Sequence, residues 1–107
     1  MALLKGTLDI LVLKTLSWGP MHSFEIVAWL EERSHGELQV DDAALVQALH
    51  RMEERNLISA EWGVTANNRR ARYYKLTAAG RTYLREESER LVGHFDTLAG
   101  ILNARRA

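Results

Sequence analysis

Between Asp41 and Arg72 a helical pattern passes directly into a strand and then into a basic, polar hairpin. Asp41 is an N-cap residue, because its carboxylate can accept from the free amides of a first helical turn. Leu45, Ala48, Leu49, Met52 and Asn56 then share one side at helical spacing, which predicts a helix over Asp41–Asn56. Ala43, Gln47, His50 and Glu54 fall on the opposite side, with Val46 and Arg51 on the flanks. Ile58, Ala60 and Trp62 alternate with Ser59 and Glu61, the pattern of a strand with one buried face. Arg72 to Leu76 alternates too, with Tyr74 and Leu76 on one side. The connection between the strands is longer than a tight turn, so it is expected to project and move. An outward helix face that is small near its start and polar beyond can enter a DNA major groove N-terminus first. The candidate DNA contacts are therefore Ala43, Ala44, Gln47, His50 and Arg51 on the helix, and Asn67, Asn68, Arg69, Arg70 and Arg72 on the hairpin.

The chain has 107 residues, the length of one domain. Its formal net charge is zero, which alone argues mildly against nucleic acid. The distribution argues the other way. From Gly63 to Arg85 there is no acid, while Arg69, Arg70, Arg72, Lys75, Arg81 and Arg85 are basic. Cysteine is absent, which excludes disulfides, thiol catalysis and cysteine-ligated zinc, and predicts a cytoplasmic protein. The four histidines lack metal-ligand spacing, so neither a metal nor another cofactor is expected.

Near the N-terminus, Lys5 and the apolar run Leu8–Leu16 superficially resemble a signal peptide. Asp9 and Lys14 interrupt the run, no small-residue cleavage site follows, and it is too short to span a bilayer. It reads as a buried helix from Thr7, as N-cap, to Trp18. Leu4, Leu8, Leu11 and Val12 form its main stripe, and Ile10, Leu13 and Leu16 widen it. A helix apolar nearly all round needs cover on more than one side, which points to a partner chain. Gly19-Pro20 ends it. Ser23 is the expected cap of a second helix reaching Arg33, and Ser34-His35-Gly36 breaks that one, with Gly36 suited to a left-handed position. Leu38-Gln39-Val40 has the length of a very short strand.

Thr77 caps a last helix over roughly Ala78–Asn103, whose first turn Gly80 weakens slightly. Leu84, Leu91 and Leu98 recur every seven residues, as do Ser88, Phe95 and Leu102, offset by four. This is a heptad seam with one polar member. It fits either a helix packed on its own domain or a dimerisation helix, and the second reading is stronger because the preceding unit has a core of its own. The expected architecture is mainly α with a small β-wing: a winged helix-turn-helix over 1–76 and a C-terminal dimerisation helix over 77–107, one compact unit. Leu8 and Leu11 join the seam residues as the candidate dimer interface.

The run from Leu4 to Leu13, then Gly19-Pro20-Met21-His22, Ala48-Leu49-His50-Arg51-Met52-Glu53, and Tyr73-Tyr74-Lys75-Leu76-Thr77-Ala78-Ala79-Gly80-Arg81 resembles the PadR family of bacterial transcriptional regulators over nearly the whole chain. The resemblance implies a homodimer on a palindromic operator in double-stranded DNA, usually acting as a repressor. The single last helix looks like the short subgroup, some members of which bind flat aromatic compounds at the dimer interface. Two places depart from the family. Ser23 and Phe24 stand where Gly-Tyr is usual, and Val46-Gln47 where Tyr-Pro is common. Val46 cannot donate to a phosphate as a tyrosine does, a loss of ~1 kcal/mol by analogy with ordinary hydrogen bonds. Gln47 can compensate at an adenine edge.

Competing readings stay open. The arginines of the hairpin also fit a solvated tip, and Gln47, His50 and Arg51 an ordinary helix surface. Without operator binding, the same chain is a winged-helix protein-interaction module. Trp62 reads as strand core and Trp29 as helix packing, while Trp18 is open to an aromatic ligand. A cavity between the first and last helices of two chains, near Leu8, Leu11, Phe95 and Leu98, is where such a ligand is expected. No acid, base and nucleophile converge, so the chain is not expected to be an enzyme.

Overall fold

The computed structural model describes residues 3 and 6–106; Leu4 and Lys5, which open the apolar stripe and the family motif, lie outside them. Four helices and two strands follow in order: α1 (Thr7–Leu16), α2 (Ser23–Arg33), α3 (Asp42–Glu54), β1 (Ile58–Val64), β2 (Arg70–Leu76) and α4 (Ala78–Leu102). One core cluster joins them, built from Val12, Leu13 and Leu16 of α1, Ile26 and Leu30 of α2, Leu45, Ala48, Leu49 and Met52 of α3, and Ile58, Tyr74 and Leu76 of the hairpin.

The helix ends differ from the sequence expectations by a residue or two, each for a local reason. The cap of α1 is Gly6, which offers no side-chain acceptor, and Thr7 is already helical. In α2 the cap is His22, not Ser23. Glu25 N–H donates to His22 Nδ1, and His22 N–H donates to the Glu25 carboxylate at 3.1 Å, a capping box. Asp41 caps α3 as expected, its Oδ2 accepting from Ala44 N–H at 3.0 Å. Asn56 does not extend the buried side of α3. It sits just past the helix at φ 59°, and Leu57 N–H reaches back to Met52 O at 2.9 Å, which closes a Schellman end.

Leu38–Val40 forms no strand. The edge of β2 is instead taken by Met21, which exchanges backbone hydrogen bonds with Tyr74 at 2.9 and 3.1 Å. Leu38 turns inward and is buried, and its N–H donates to Ser34 Oγ.

β1 and β2 pair antiparallel, with Ile58 opposite Leu76, Ala60 opposite Tyr74, Trp62 opposite Arg72 and Val64 opposite Arg70. These eight positions share the face that meets the helices near its base. The strands run farther than the core does, so Ile58 is buried and Trp62 is 63% exposed. The expectation that Trp62 is strand core is therefore wrong: alternation places it on the inner face, but nothing apolar lies opposite. Trp29 packs on the core, as expected, and Trp18 is exposed.

Thr77 caps α4, accepting from Gly80 N–H at 2.9 Å and donating to Asn56 O at 2.7 Å. Gly80 is more than a weak helix former. A Cβ at this position would overlap the Leu57 carbonyl oxygen, so its lack of a side chain lets α4 seat directly on the α3–β1 junction. Tyr83 and Leu84 pack on the core. Beyond Leu91 every described residue is exposed, and the molecule measures 62 × 29 × 22 Å.

Candidate nucleic-acid interface

The outward side of α3 is open. Ala43, Gln47, His50, Glu54 and Val46 are exposed, Ala44 half-buried, while the opposite side is sealed by Leu45, Ala48, Leu49 and Met52. Gln47 therefore stands exposed on a helix whose other side is anchored in the core. Arg51 is placed otherwise. Its Nη2 donates to Asp9 Oδ1 at 2.8 Å, tying α3 to α1. Asp9 is itself nearly buried, so its carboxylate needs this partner. Arg51 thus makes an ion pair with α1 that its position on the flank of the helix did not reveal, while its side chain stays 55% exposed.

The hairpin tip is Thr65–Arg69, shorter than expected, and it is bonded internally. Thr65 N–H donates to Arg69 O at 2.8 Å, Asn68 N–H to Thr65 O at 2.9 Å, and Arg69 N–H to Thr65 Oγ1 at 3.2 Å. Asn68 takes a left-handed conformation, which asparagine tolerates. Of the five candidate contacts on the hairpin, Asn67, Asn68 and Arg69 belong to the tip, while Arg70 and Arg72 are strand residues.

The three arginines, grouped together by sequence, have three different environments. Arg72 is locked: its Nη1 and Nη2 donate to the two carboxylate oxygens of Glu53 on α3, at 3.1 and 2.8 Å. That bidentate bond raises the Arg72 pKa above its ordinary value. Arg72 is therefore a strut between the wing and α3, not a free tip charge. Arg70 makes no ion pair among the described residues, but its guanidinium lies 4.6 Å from the centroid of the Trp62 ring. Among the described residues Arg69 has neither kind of partner. The sequence reasoning missed Glu53, Asp9 and Trp62; only the strand alternation that puts Trp62 and Arg72 on one face hinted at any of it.

On the far half of α4, Phe95, Leu98 and Leu102 are exposed, along with Val92 and Ile101. Ser88 and Leu91 are half-buried, and Leu84 packs on its own core, so the seam divides: its start belongs to the chain itself and its end is uncovered. Leu8 and Leu11 are half-buried against the core as well. Among the described residues no group of three His, Asp or Glu could hold a metal ion, and no helix is long and apolar enough to cross a membrane.

Three helices with a core of their own, a capped second-to-third helix corner and a basic hairpin define a winged helix-turn-helix. The model of the PadR-like family of transcriptional regulators matches residues 12–86, and the chain belongs to that family, a class of DNA-binding regulators and not of enzymes. An uncharacterized protein of Lysinibacillus sphaericus is 26% identical over 84 residues, covering 78% of this chain and 77% of its own. A PadR family transcription regulator from Clostridium difficile superposes with a TM-score of 0.77 at 25% identity, over 92% of this chain and all of the other. Bacillus subtilis PadR, solved with operator DNA, superposes with a TM-score of 0.67 at 16% identity, over 76% of this chain and 46% of that one.

Proposed function

We propose that the chain is a cytoplasmic homodimer that binds a palindromic operator and acts as a repressor. The observation that carries this is the open polar side of α3 standing beside a wing whose tip and second strand are basic and carry no acid, on a chain whose last helix ends in an exposed apolar seam. The outward side of α3 enters the major groove, with Gln47 and His50 toward base edges and Ala43 and Ala44 allowing close approach near its start. Asn67, Asn68, Arg69 and Arg70 meet the phosphates. Phe95, Leu98 and Leu102 pair with the same residues of a second copy, and that pairing sets the half-site spacing. The space that two such helices would bound, near Leu8, Leu11, Phe95 and Leu98, is where a flat aromatic effector would act by shifting the angle between the wings.

The test is a binding titration at several salt concentrations, on the DNA upstream of its own gene and on a scrambled duplex. Specific, tighter binding to the first is expected. Gln47→Ala should lose ~1–3 kcal/mol of discrimination at one or two positions, the worth of a good bidentate contact. Equal, weak affinity for both duplexes would defeat operator reading and favour a protein-interaction module, to which an exposed Val46 is better suited than to phosphate.

A further inference from the structure

The wing's arginines differ in what remains of each guanidinium. A planar guanidinium has two ways to bind: its faces stack on aromatic rings, and its N–H edges fork onto carboxylate or phosphate. Arg72 has spent its edge on Glu53. Arg70 lies with its guanidinium carbon 4.6 Å over the Trp62 ring, and its N–H groups are bonded to nothing among the described residues. The two sit diagonally across the hairpin, since Trp62 faces Arg72 and Val64 faces Arg70 in the register. Trp62 does little for the core at 63% exposure, so the fold does not account for an indole there.

We propose that Trp62 is a positioning residue for DNA binding: its ring holds the Arg70 guanidinium flat, with the N–H edge directed outward to a backbone phosphate. Arg70 is then the wing's principal phosphate ligand, ahead of the untethered Arg69 and the locked Arg72. Holding one long side chain in advance removes rotamer freedom that binding would otherwise have to remove. This rests on the reading that the wing meets DNA.

The experiment uses the full chain with a labelled duplex of its own upstream DNA, comparing wild type with Trp62→Ala, Trp62→Phe, Arg70→Ala and the Trp62→Ala, Arg70→Ala double variant. Arg70→Ala should weaken binding and shallow the slope of log affinity against log salt by about 0.9 per chain for the lost phosphate. Trp62→Ala should weaken binding roughly two- to five-fold, the range of an exposed cation–π pair, with the slope unchanged because the charge is still present. Trp62→Phe should restore most of that loss. In the Arg70→Ala background, Trp62→Ala should add nothing, as coupled residues behave in a double-mutant cycle. In the free protein, the Arg70 side-chain protons should show an upfield ring-current shift that Trp62→Ala abolishes. The inference is overturned if Trp62→Ala binds as tightly as wild type, or if it weakens binding equally with and without Arg70. A wild type that does not bind this duplex instead overturns operator binding itself, before any variant is compared.

Discussion

α1 and the far half of α4 are both apolar, yet they end in opposite situations. Ile10, Val12, Leu13 and Leu16 of α1 are buried within the same chain, where α1 packs against α2, α3, β2 and the near half of α4, and even Leu8 and Leu11 touch that core. Phe95, Leu98, Ile101 and Leu102 of α4 stay exposed, from 41% at Leu98 to 82% at Leu102. The apolar surround of α1, taken in sequence as a sign of a second chain, is largely satisfied within one. The heptad seam of α4 is the better sign, because its far end runs past the body of the molecule. Apolarity alone does not distinguish a core from an interface; whether anything else in the chain can reach the residue does.

Four changes test that contrast, from largest effect to smallest. Phe95→Asp with Leu98→Asp should leave a folded winged unit but raise the dimer dissociation constant at least ~1,000-fold, since burying unpaired carboxylates costs several kcal/mol. Analytical ultracentrifugation reads this, and a wild type that is monomeric at micromolar concentration would remove the contrast altogether. Leu13→Ala, in the fully buried stripe of α1, should lower unfolding stability by about 3 kcal/mol in chemical denaturation. Gly80→Ala joins the two regions. Its methyl would push α4 off Leu57, and a loss of about 2 kcal/mol is expected where helix propensity alone predicts a gain. Leu8→Ala should cost about 1 kcal/mol, because this side chain is only half-buried. A larger effect on dimer dissociation than on unfolding would return α1 to the interface.

Apart from the strand expected at Leu38–Val40, the order of elements was legible in the sequence, because it rests on local signals. Asp41 and Thr77 cap the helices they were expected to cap, the alternation around Tyr74 and Leu76 marks a half-buried strand, and the seven-residue spacing of α4 marks a long helix. The site was legible only as a set of exposed residues. Which charges stay free depends on partners far along the chain: Asp9 is 42 residues from Arg51, and Glu53 is 19 from Arg72. No spacing rule reaches that far. Trp62 misled for a different reason. Strand alternation reports the face of the sheet but not where the core beneath that face ends. Gly80 is similar, since propensity describes a helix in isolation and here a neighbouring carbonyl decides.

The seating of α4 on Leu57 has a mechanical consequence. With no side chain between Gly80 and that carbonyl, and with Thr77 bonded to Asn56 and Leu57, the base of α4 cannot shift without the α3–β1 junction. The 25-residue helix is then a stiff lever arm of roughly 37 Å, at 1.5 Å per residue, with its fulcrum beside the C-terminal end of α3. A tilt of ~10° at that fulcrum sweeps the far tip of α4 through about 6 Å over that length. Run in reverse, a similar tilt applied at the tip carries α3 and the wing through a similar distance, close to two base-pair steps of about 3.4 Å each.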